Sequence, residues 1–487
     1  MKIIVIRFSS LGDVVLTLPV FDRLRNLYPQ AEIVALTKES FADVYRNHEP
    51  ISRVMTLSKD QSLLSLLNQI RKEQFDVILD LHSNLRSTVI RLFCGIPRQY
   101  HYAKATLARR LFVQWRLKSP ELKQHTLDRY MEVVDQLSGN TSLQSPVLVV
   151  QTAFLGDAVL TLPMLDALHS ARPNIILDVL CTPEIQEIFA SHMAVHEVLV
   201  YDKRGRDKGL NSLWRWAKVI RQKGYKTALV PHRSFRSALL AWLGNIPRRV
   251  GFGLSQGRWL LTQIVPFEWG IHDVERNMKL LDALGIHTPS PTLQLTVNPQ
   301  AMESILQRYR DDGIQSSDRL LGINPGSIWP TKRWLPERFA ELSDRVIREL
   351  NMKVVFFGGK KDIPIVESVI QSMREIPLNW AGKTNLQELI AAISRCNLFL
   401  TNDSGPMHIA VATHVSTIAI FGPTTRELGF FPYGNDHVVI ERDLECRPCG
   451  LHGAERCPLG HFKCMKEISV ENVFQTIQQK YVRSSSV

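Results

Sequence analysis

Residues 11–19 read LGDVVLTLP, and residues 155–163 repeat this stretch as LGDAVLTLP, with eight of nine positions identical. Further blocks match in the same order at offsets of 147 to 150 residues: FDVIL at 75–79 with YKTAL at 225–229, RS at 86–87 with 236–237, IPR at 96–98 with 246–248, and HTLDR at 125–129 with HDVER at 272–276. Several blocks in one order indicate a duplicated domain rather than a chance motif.

The repeat divides the chain into three predicted domains. Residues 1–141 form the first copy and residues 146–296 the second, with a short polar linker between them. From about residue 318 the sequence has no second copy, so residues 318–487 are predicted to form a third domain.

Short apolar runs alternate with helical patterns in all three domains. Each copy opens on a predicted strand, at residues 2–6 and 147–150, and a polar Gly-Asp turn separates it from a helix predicted over 16–26 or 160–170. The third domain repeats the pattern, with a helix predicted to start at Met407. Such alternation predicts an α/β fold with parallel, Rossmann-like sheets, whose ligands bind at the carboxyl ends of the strands.

The composition excludes several classes of protein. At 45% hydrophobic and 22% charged residues, the 487-residue chain is not disordered. No run approaches the roughly 18 apolar residues of a membrane span, and Arg7 interrupts the only apolar stretch at the start, so we expect a cytoplasmic protein.

The net charge of +12 indicates an anionic partner. Because the basic residues are scattered and no nucleic-acid motif is present, we expect no nucleic-acid partner.

Asp13 and Asp157 occupy equivalent positions where a strand leads into a helix. An acid there is often only a helix cap, stabilised by free backbone amides. The preceding glycine and the position at a strand's carboxyl end favour a second interpretation, in which the carboxylate accepts a proton from an attacking hydroxyl.

Two polar turns of the third domain are candidates for binding phosphate. Residues 324–327 (NPGS) follow a predicted strand, and Lys332 comes soon after. Residues 401–408 (TNDSGPMH) lie between a strand and a helix, where backbone amides and the Ser404 hydroxyl suit a pyrophosphate. The alternatives are an ordinary loop with a solvated lysine, and a polar helix cap with a histidine on the helix face.

Four cysteines cluster near the C-terminus: Cys446, Cys449, Cys457 and Cys464. In a reducing compartment they indicate a structural zinc site or free thiols rather than disulfides. The spacing is not that of paired C-x2-C knuckles, and a catalytic metal is not expected.

Four motifs in order resemble glycosyltransferase family 9. They are Ser-x-x-Gly-Asp with a proline six residues on, Pro-Gly-x5-Lys-Arg-Trp, Asn-Asp-Ser-Gly-x-x-His, and a Cys-x-Pro-Cys…Cys-Pro-Leu-Gly-His-x-x-Cys-Met tail. The tail is similar to that of the heptosyltransferase II branch. The resemblance implies a GT-B fold, in which an N-terminal domain receives the acceptor and a C-terminal domain holds the nucleotide-sugar. It also implies transfer with inversion and without a catalytic cofactor.

The resemblance also implies roles for individual residues. Asp157 or Asp13 is the general base, and adjacency of the second copy to the third domain favours Asp157. The donor, ADP-heptose or another nucleotide-sugar, contacts six residues of the third domain: Ser327, Lys332, Asp403, Ser404, Gly405 and His408. The acceptor is a lipid-linked Kdo/heptose core of lipopolysaccharide, at the inner membrane.

The extra first copy departs from the family pattern, which has one acceptor domain. It is a fusion remnant, an acceptor-docking module or a dimerisation surface, and its basic and apolar segment 107–116 suits either an anionic membrane or packing on its own domain. Two alternatives to a heptosyltransferase stay open: a relative that uses another nucleotide-sugar or glycan, and a non-catalytic glycan- or nucleotide-binding protein.

Overall fold

The computed structural model describes residues 1–58, 60–102, 126–138, 146–287 and 291–485. It consists of two compact units, Met1–Ser145 and Pro146–Val487. The predicted segment 107–116 lies outside the described residues.

The first unit is built on one parallel sheet of five strands in the order β3-β2-β1-β4-β5. Its strands are β1 (Lys2–Ile6), β2 (Glu32–Lys38), β3 (Arg53–Leu57), β4 (Val77–Asp80) and β5 (Arg98–His101). Its helices are α1 (Leu11–Val15), α2 (Leu18–Leu27), α3 (Ala42–Arg46), α4 (Leu63–Lys72), α5 (Leu85–Phe93) and α6 (Thr126–Ser138).

The second unit begins with a parallel sheet in the order β11-β10-β9-β6-β7-β8. Its strands are β6 (Val147–Gln151), β7 (Leu177–Cys181), β8 (Glu197–Val200), β9 (Thr227–Val230), β10 (Arg248–Phe252) and β11 (Gln263–Val265). The helices are α7 (Leu155–Ala171), α8 (Gln186–Ala190), α9 (Leu210–Lys223), α10 (Phe235–Leu243) and α11 (Asp273–Asp282).

The second unit also holds the last parallel sheet, in the order β14-β13-β12-β15-β16-β17. Its strands are β12 (Leu320–Asn324), β13 (Lys353–Phe356), β14 (Leu378–Asn379), β15 (Leu398–Asn402), β16 (Ser416–Ile420) and β17 (Val438–Ile440). The helices are α12 (Pro299–Asp311), α13 (Pro336–Leu350), α14 (Ile363–Gln371), α15 (Leu386–Ser394), α16 (Gly405–Ala412), α17 (Lys463–Lys466) and α18 (Val470–Ser485).

The predicted α/β class is confirmed, because strands alternate with helices in all three sheets and every ladder is parallel. Two helix starts were predicted too late. The helix of the second copy begins at Leu155 rather than 160, and α16 begins at Gly405 rather than Met407. In the first copy the corresponding helix breaks between α1 and α2. The amide of Phe154 donates to the Asp157 carboxylate, so the Gly-Asp turn belongs to the first turn of α7.

One apolar core joins the two sheets of the second unit. Ten residues of helix α7 are buried, and the helix packs against both α11 and α16, so Leu160 and Leu165 share a core with Ile409 and Ala410. A helix with apolar side chains around most of its circumference is stable only where neighbouring elements cover it. Helix α7 therefore fixes the second sheet to the third. Among the described helices, none is long and apolar enough to cross a membrane.

Candidate functional site

The second unit contains a cavity of about 840 Å³ at the carboxyl ends of strands from both of its sheets. Seven residues predicted to form the site line it: Asp157, Ser327, Lys332, Asp403, Ser404, Gly405 and His408. Asp13, the alternative base, lies in the first unit. The structure therefore brings one of the two candidate bases together with all predicted donor residues.

Asp157 is partly buried in the first turn of α7, on the wall of the cavity. Desolvation by burial and, second, the negative charge of Asp273 raise the pKa of Asp157 from 3.8 to about 6. The amide of Phe154, which donates to Oδ2 at 3.2 Å, opposes this shift. A carboxylate with a pKa near 6 is ionised at neutral pH and holds a proton more strongly than an ordinary aspartate, as a general base requires.

Sequence patterns missed Asp273, which begins α11. Its carboxylate accepts a hydrogen bond from Arg276 at 2.6 Å, and burial raises its pKa. Asn277 donates to the carbonyl of Leu160 at 3.2 Å and so joins α11 to α7. The available signal was the repeated HxxxR block, because Asp273 lies inside its second copy.

The equivalent carboxylate of the first copy has different surroundings. Asp13 is ion-paired with Arg7, a buried guanidinium that also donates to the carbonyl of Leu81 at 2.6 Å. At the position of Arg7 the second copy has Gln151, which donates to Thr161. The carboxylate of the first copy is therefore engaged in an ion pair, whereas Asp157 lines the cavity.

Lys332 places a positive charge on the wall of the cavity, beside the third sheet. Its ammonium nitrogen lies 2.5 Å from Oδ2 of Asp403, and both side chains are largely buried. Thr424, which sequence patterns also missed, donates to the same oxygen at 2.6 Å. A buried lysine held by one carboxylate and facing a cavity is suited to a second anion such as a diphosphate.

Hydroxyl groups surround the N-terminus of α16. The hydroxyl of Ser404 lies 3.1 Å from the side-chain nitrogen of Asn324 and 3.0 Å from the hydroxyl of Thr401. Ser327 donates to the carbonyl of Asp403 at 3.3 Å. These bonds join the two predicted phosphate turns into one rim, where the first amides of α16 and the helix dipole favour a negative group.

His408 lies in the first turns of α16 and is buried against Gly156. Burial, with a smaller contribution from His272, lowers the pKa of His408 to about 3. The ring is therefore neutral at pH 7. Its position places it at the contact between α7 and α16 as well as on the cavity wall.

The four C-terminal cysteines are free thiols. Cys449, Cys457 and Cys464 line a second cavity of about 390 Å³. Within the described part of the chain, the only three potential ligand atoms within 4.8 Å of one another belong to Asp178, His196 and Glu197, so the sulfur atoms do not surround a common centre. Backbone amides of residues 459–462 outweigh the effect of burial and lower the pKa of Cys457, which favours a thiolate.

Comparison with known proteins decides the family. The sequence model described as glycosyltransferase family 9 (heptosyltransferase) matches residues 63–177 and 213–457, most of the chain. The chain belongs to glycosyltransferase family 9. Lipooligosaccharide heptosyltransferase 2 of Haemophilus influenzae is 28% identical over 312 residues, which cover 61% of this chain and 89% of that protein. Lipopolysaccharide heptosyltransferase 2 of Salmonella typhimurium is 27% identical, over 57% of this chain and 83% of that protein.

Solved structures confirm the GT-B fold of this family 9 enzyme. A family 9 glycosyl transferase from Veillonella parvula matches with a TM-score of 0.63 and 28% identity, over 70% of this chain and 98% of that one. The ADP-heptose lps heptosyltransferase II of E. coli matches with a TM-score of 0.58 and 22% identity, over 70% of this chain and 99% of that one.

Proposed function

We propose that this family 9 glycosyltransferase transfers heptose from ADP-heptose to the inner core of lipopolysaccharide. The observation that carries the proposal is a single cavity with a raised-pKa carboxylate, Asp157, and a lysine poised for an anion, Lys332. The assignment of the sugar and of the acceptor follows the names of the relatives, which are heptosyltransferases of lipooligosaccharide and lipopolysaccharide.

In the proposed reaction, the acceptor hydroxyl gives its proton to the carboxylate of Asp157. The hydroxyl oxygen then forms a bond to the anomeric carbon, from the face opposite the diphosphate. The bond between this carbon and the diphosphate oxygen breaks, and the electron pair leaves with ADP. Lys332 and the N-terminus of α16 stabilise the negative charge that develops there, and the anomeric centre is inverted.

The proposal assigns the acceptor to residues 146–296 and the donor to residues 318–487, which together carry Asp157 and Lys332. Residues 1–141 are then an accessory domain. Two observations support this division: about 70% of the chain is enough to cover the solved family structures, and Asp13 is neutralised by Arg7.

We propose that transfer needs no cofactor. We also propose that the four C-terminal cysteines bind a structural zinc ion. The cavity shared by three of the thiols and the lowered pKa of Cys457 support it. Ligation by Cys446 and the other three would require the sulfur atoms to move together. Metal analysis of the purified wild type and of Cys457→Ser tests this: equal zinc in both proteins, or none in either, contradicts the site.

The deciding experiment measures transfer from ADP-heptose to heptose-bearing Kdo–lipid A by the wild type, Asp157→Ala and Asp13→Ala. We expect turnover by the wild type and by Asp13→Ala, and a loss of about 100-fold or more in Asp157→Ala. Loss in Asp13→Ala alone contradicts the division of domains. A wild type that is inactive with this donor, but active with another nucleotide-sugar, contradicts the sugar assignment. Nucleotide binding without any turnover indicates a binding protein.

A further inference from the structure

The positive charge of the protein is concentrated in one segment, although the sequence gives a first impression of scattered basic residues. Residues 203–259 contain 14 of the 59 lysines and arginines but one of the 47 aspartates and glutamates, Asp207. The rest of the chain holds 45 basic and 46 acidic residues. The whole net charge of +12 therefore arises from these 57 residues. The prediction of scattered charge was wrong.

The same segment exposes large apolar side chains to solvent. Trp214 is 60% exposed, Trp242 48% and Trp259 70%, and Leu210 and Leu254 are also exposed. Isolated exposed apolar residues are common on protein surfaces, but several tryptophans and leucines in one layer indicate an interaction site.

These side chains belong to one layer of the structure. Helices α9 and α10 pack side by side, and the turn around Trp259 packs on α10. Their inward side chains Leu213, Ala238 and Leu260 share one core beneath them, so both helices and the turn cover the same face of the second sheet. The rings of Phe235 and Trp259 lie 6.0 Å apart and join the turn to the start of α10.

Basic and apolar side chains are exposed next to one another within this layer. On α9, Leu210, Trp214, Lys218 and Arg221 are all exposed and follow one another at helical spacing. Arg258 precedes Trp259 and is exposed as well. We define this surface, the exposed side chains of α9, α10 and residues 254–259, as the basic aromatic face.

We propose that the basic aromatic face binds the surface of an anionic lipid bilayer. Tryptophan side chains prefer the interface between headgroups and hydrocarbon, and lysines and arginines are attracted by anionic headgroups. The bases of a nucleic acid could stack on the tryptophans, but they would leave the exposed Leu210 and Leu254 uncovered.

The face also adjoins the acceptor side of the cavity. Lys203 and Arg204 line the cavity at the start of the basic segment, and Arg236 of α10 donates to the carbonyl of Lys203 at 3.4 Å. The inference rests on the proposed function, because a lipid-linked acceptor lies in a membrane. Binding by this face would hold the cavity near the membrane surface without a membrane-spanning segment.

The test is co-sedimentation of the full-length protein with vesicles of phosphatidylethanolamine and phosphatidylglycerol, and with vesicles of phosphatidylcholine. We expect binding to the anionic vesicles, weakened by salt, and little binding to the neutral ones. The fourfold variant W214S, K218S, R258S and W259S should lower the partition coefficient by at least about tenfold. The control is Ile376→Ser with Lys466→Ser, one apolar and one basic residue that are both exposed elsewhere in the same unit.

Circular dichroism of the fourfold variant checks its fold, and the single variants Trp259→Ser and Lys218→Ser replace it if it does not fold. Equal binding by wild type and variants, or equal binding to both kinds of vesicle, overturns the proposal. Binding to RNA in place of vesicles overturns it as well. Neither donor nor acceptor is present, so the result is independent of whether heptose is the transferred sugar.

Discussion

Gly156 and His408 meet where α7 and α16 begin: a Cβ atom on Gly156 would lie 2.8 Å from Cδ2 of His408. In a second contact the glycine belongs to α16: a Cβ atom on Gly405 would lie 3.1 Å from the Cβ atom of Leu155 in α7. The two helix starts therefore approach each other through glycines. This contact sets the position of Asp157, one residue after Gly156, relative to the phosphate rim at α16.

The first prediction concerns this contact. Gly156→Ala forces a methyl group into the ring of His408, so α7 and α16 must separate by some tenths of an ångström. We expect kcat/KM for transfer to fall by about tenfold to 100-fold, because misplaced reacting groups lose most of the benefit of orientation. Circular dichroism should show an unchanged content of helix.

Gly12→Ala is the matched control for this substitution. Gly12 is the equivalent residue of the first copy, and a Cβ atom there has no neighbour within 4 Å. Both changes raise helix propensity equally, so any difference between them reports the contact with His408. Equal activities in the two variants would contradict the role assigned to this contact.

The second prediction is a pH profile. Because the pKa of Asp157 is about 6, its carboxylate is ionised only above that pH. We expect kcat/KM to rise with pH, with a midpoint at about pH 6, and to reach a plateau by about pH 8. Initial rates of the wild type with limiting acceptor measure this. A flat profile between about pH 5 and pH 8 would mean that Asp157 is not the base.

Much of the site was predictable because each of its residues lies in or beside a short polar turn that follows a predicted strand. Parallel strands end at a common edge, so Lys332 and Asp403, each in a loop that follows a strand of the third sheet, were expected to meet there. The same rule placed Asp157 at the edge of the second sheet. Local patterns and one fold rule were sufficient for these positions.

The groups that tune the site were not predictable in the same way. Asp273 raises the pKa of Asp157 from another helix, and Thr424 reaches Asp403 from the loop after β16. Their effects depend on how α11 packs on α7 and how the loops cross, and no single stretch of sequence records that packing. Arg7 and Asp13 are only six residues apart in the sequence. Their ion pair distinguishes the two copies only when the folded structures of both are compared.

The third prediction concerns the donor side. Lys332→Gln removes the cation that is paired with Asp403 and leaves a largely buried carboxylate with the hydroxyl of Thr424. Without the ammonium group, the proposed site for the leaving diphosphate loses one of its positive charges. We expect kcat to fall by about 100-fold and ADP to bind more weakly. Calorimetric titration with ADP and initial rates measure the two effects.

Lys353→Gln is the control for the donor side, since Lys353 is an exposed lysine at the start of β13 and does not line the cavity. Its activity and its affinity for ADP should equal those of the wild type. An unchanged kcat in Lys332→Gln would remove this lysine from the proposed mechanism.

The last prediction uses the stability of the protein. The pKa of Asp157 is about 6 in the folded state, above the value of about 3.9 expected in the unfolded chain. The native state therefore binds this proton more tightly, and ionisation of Asp157 lowers the free energy of unfolding as pH rises through this range.

Asp157→Asn removes this loss of stability, because asparagine does not ionise. At pH 8 we expect the variant to be more stable than the wild type by about 1–2 kcal/mol, a value reduced for solvent in the cavity. The gain should disappear below about pH 3, where Asp157 is protonated in both states. Urea unfolding followed by tryptophan fluorescence measures it, because eight of the nine tryptophans lie in the second unit. Asp13→Asn should have the opposite effect, since it leaves the buried guanidinium of Arg7 without its ion-pair partner, and hydrogen exchange in α1 and β1 should become faster. A variant Asp157→Asn that is less stable than the wild type at pH 8 would show that the carboxylate is a helix cap rather than a strained base.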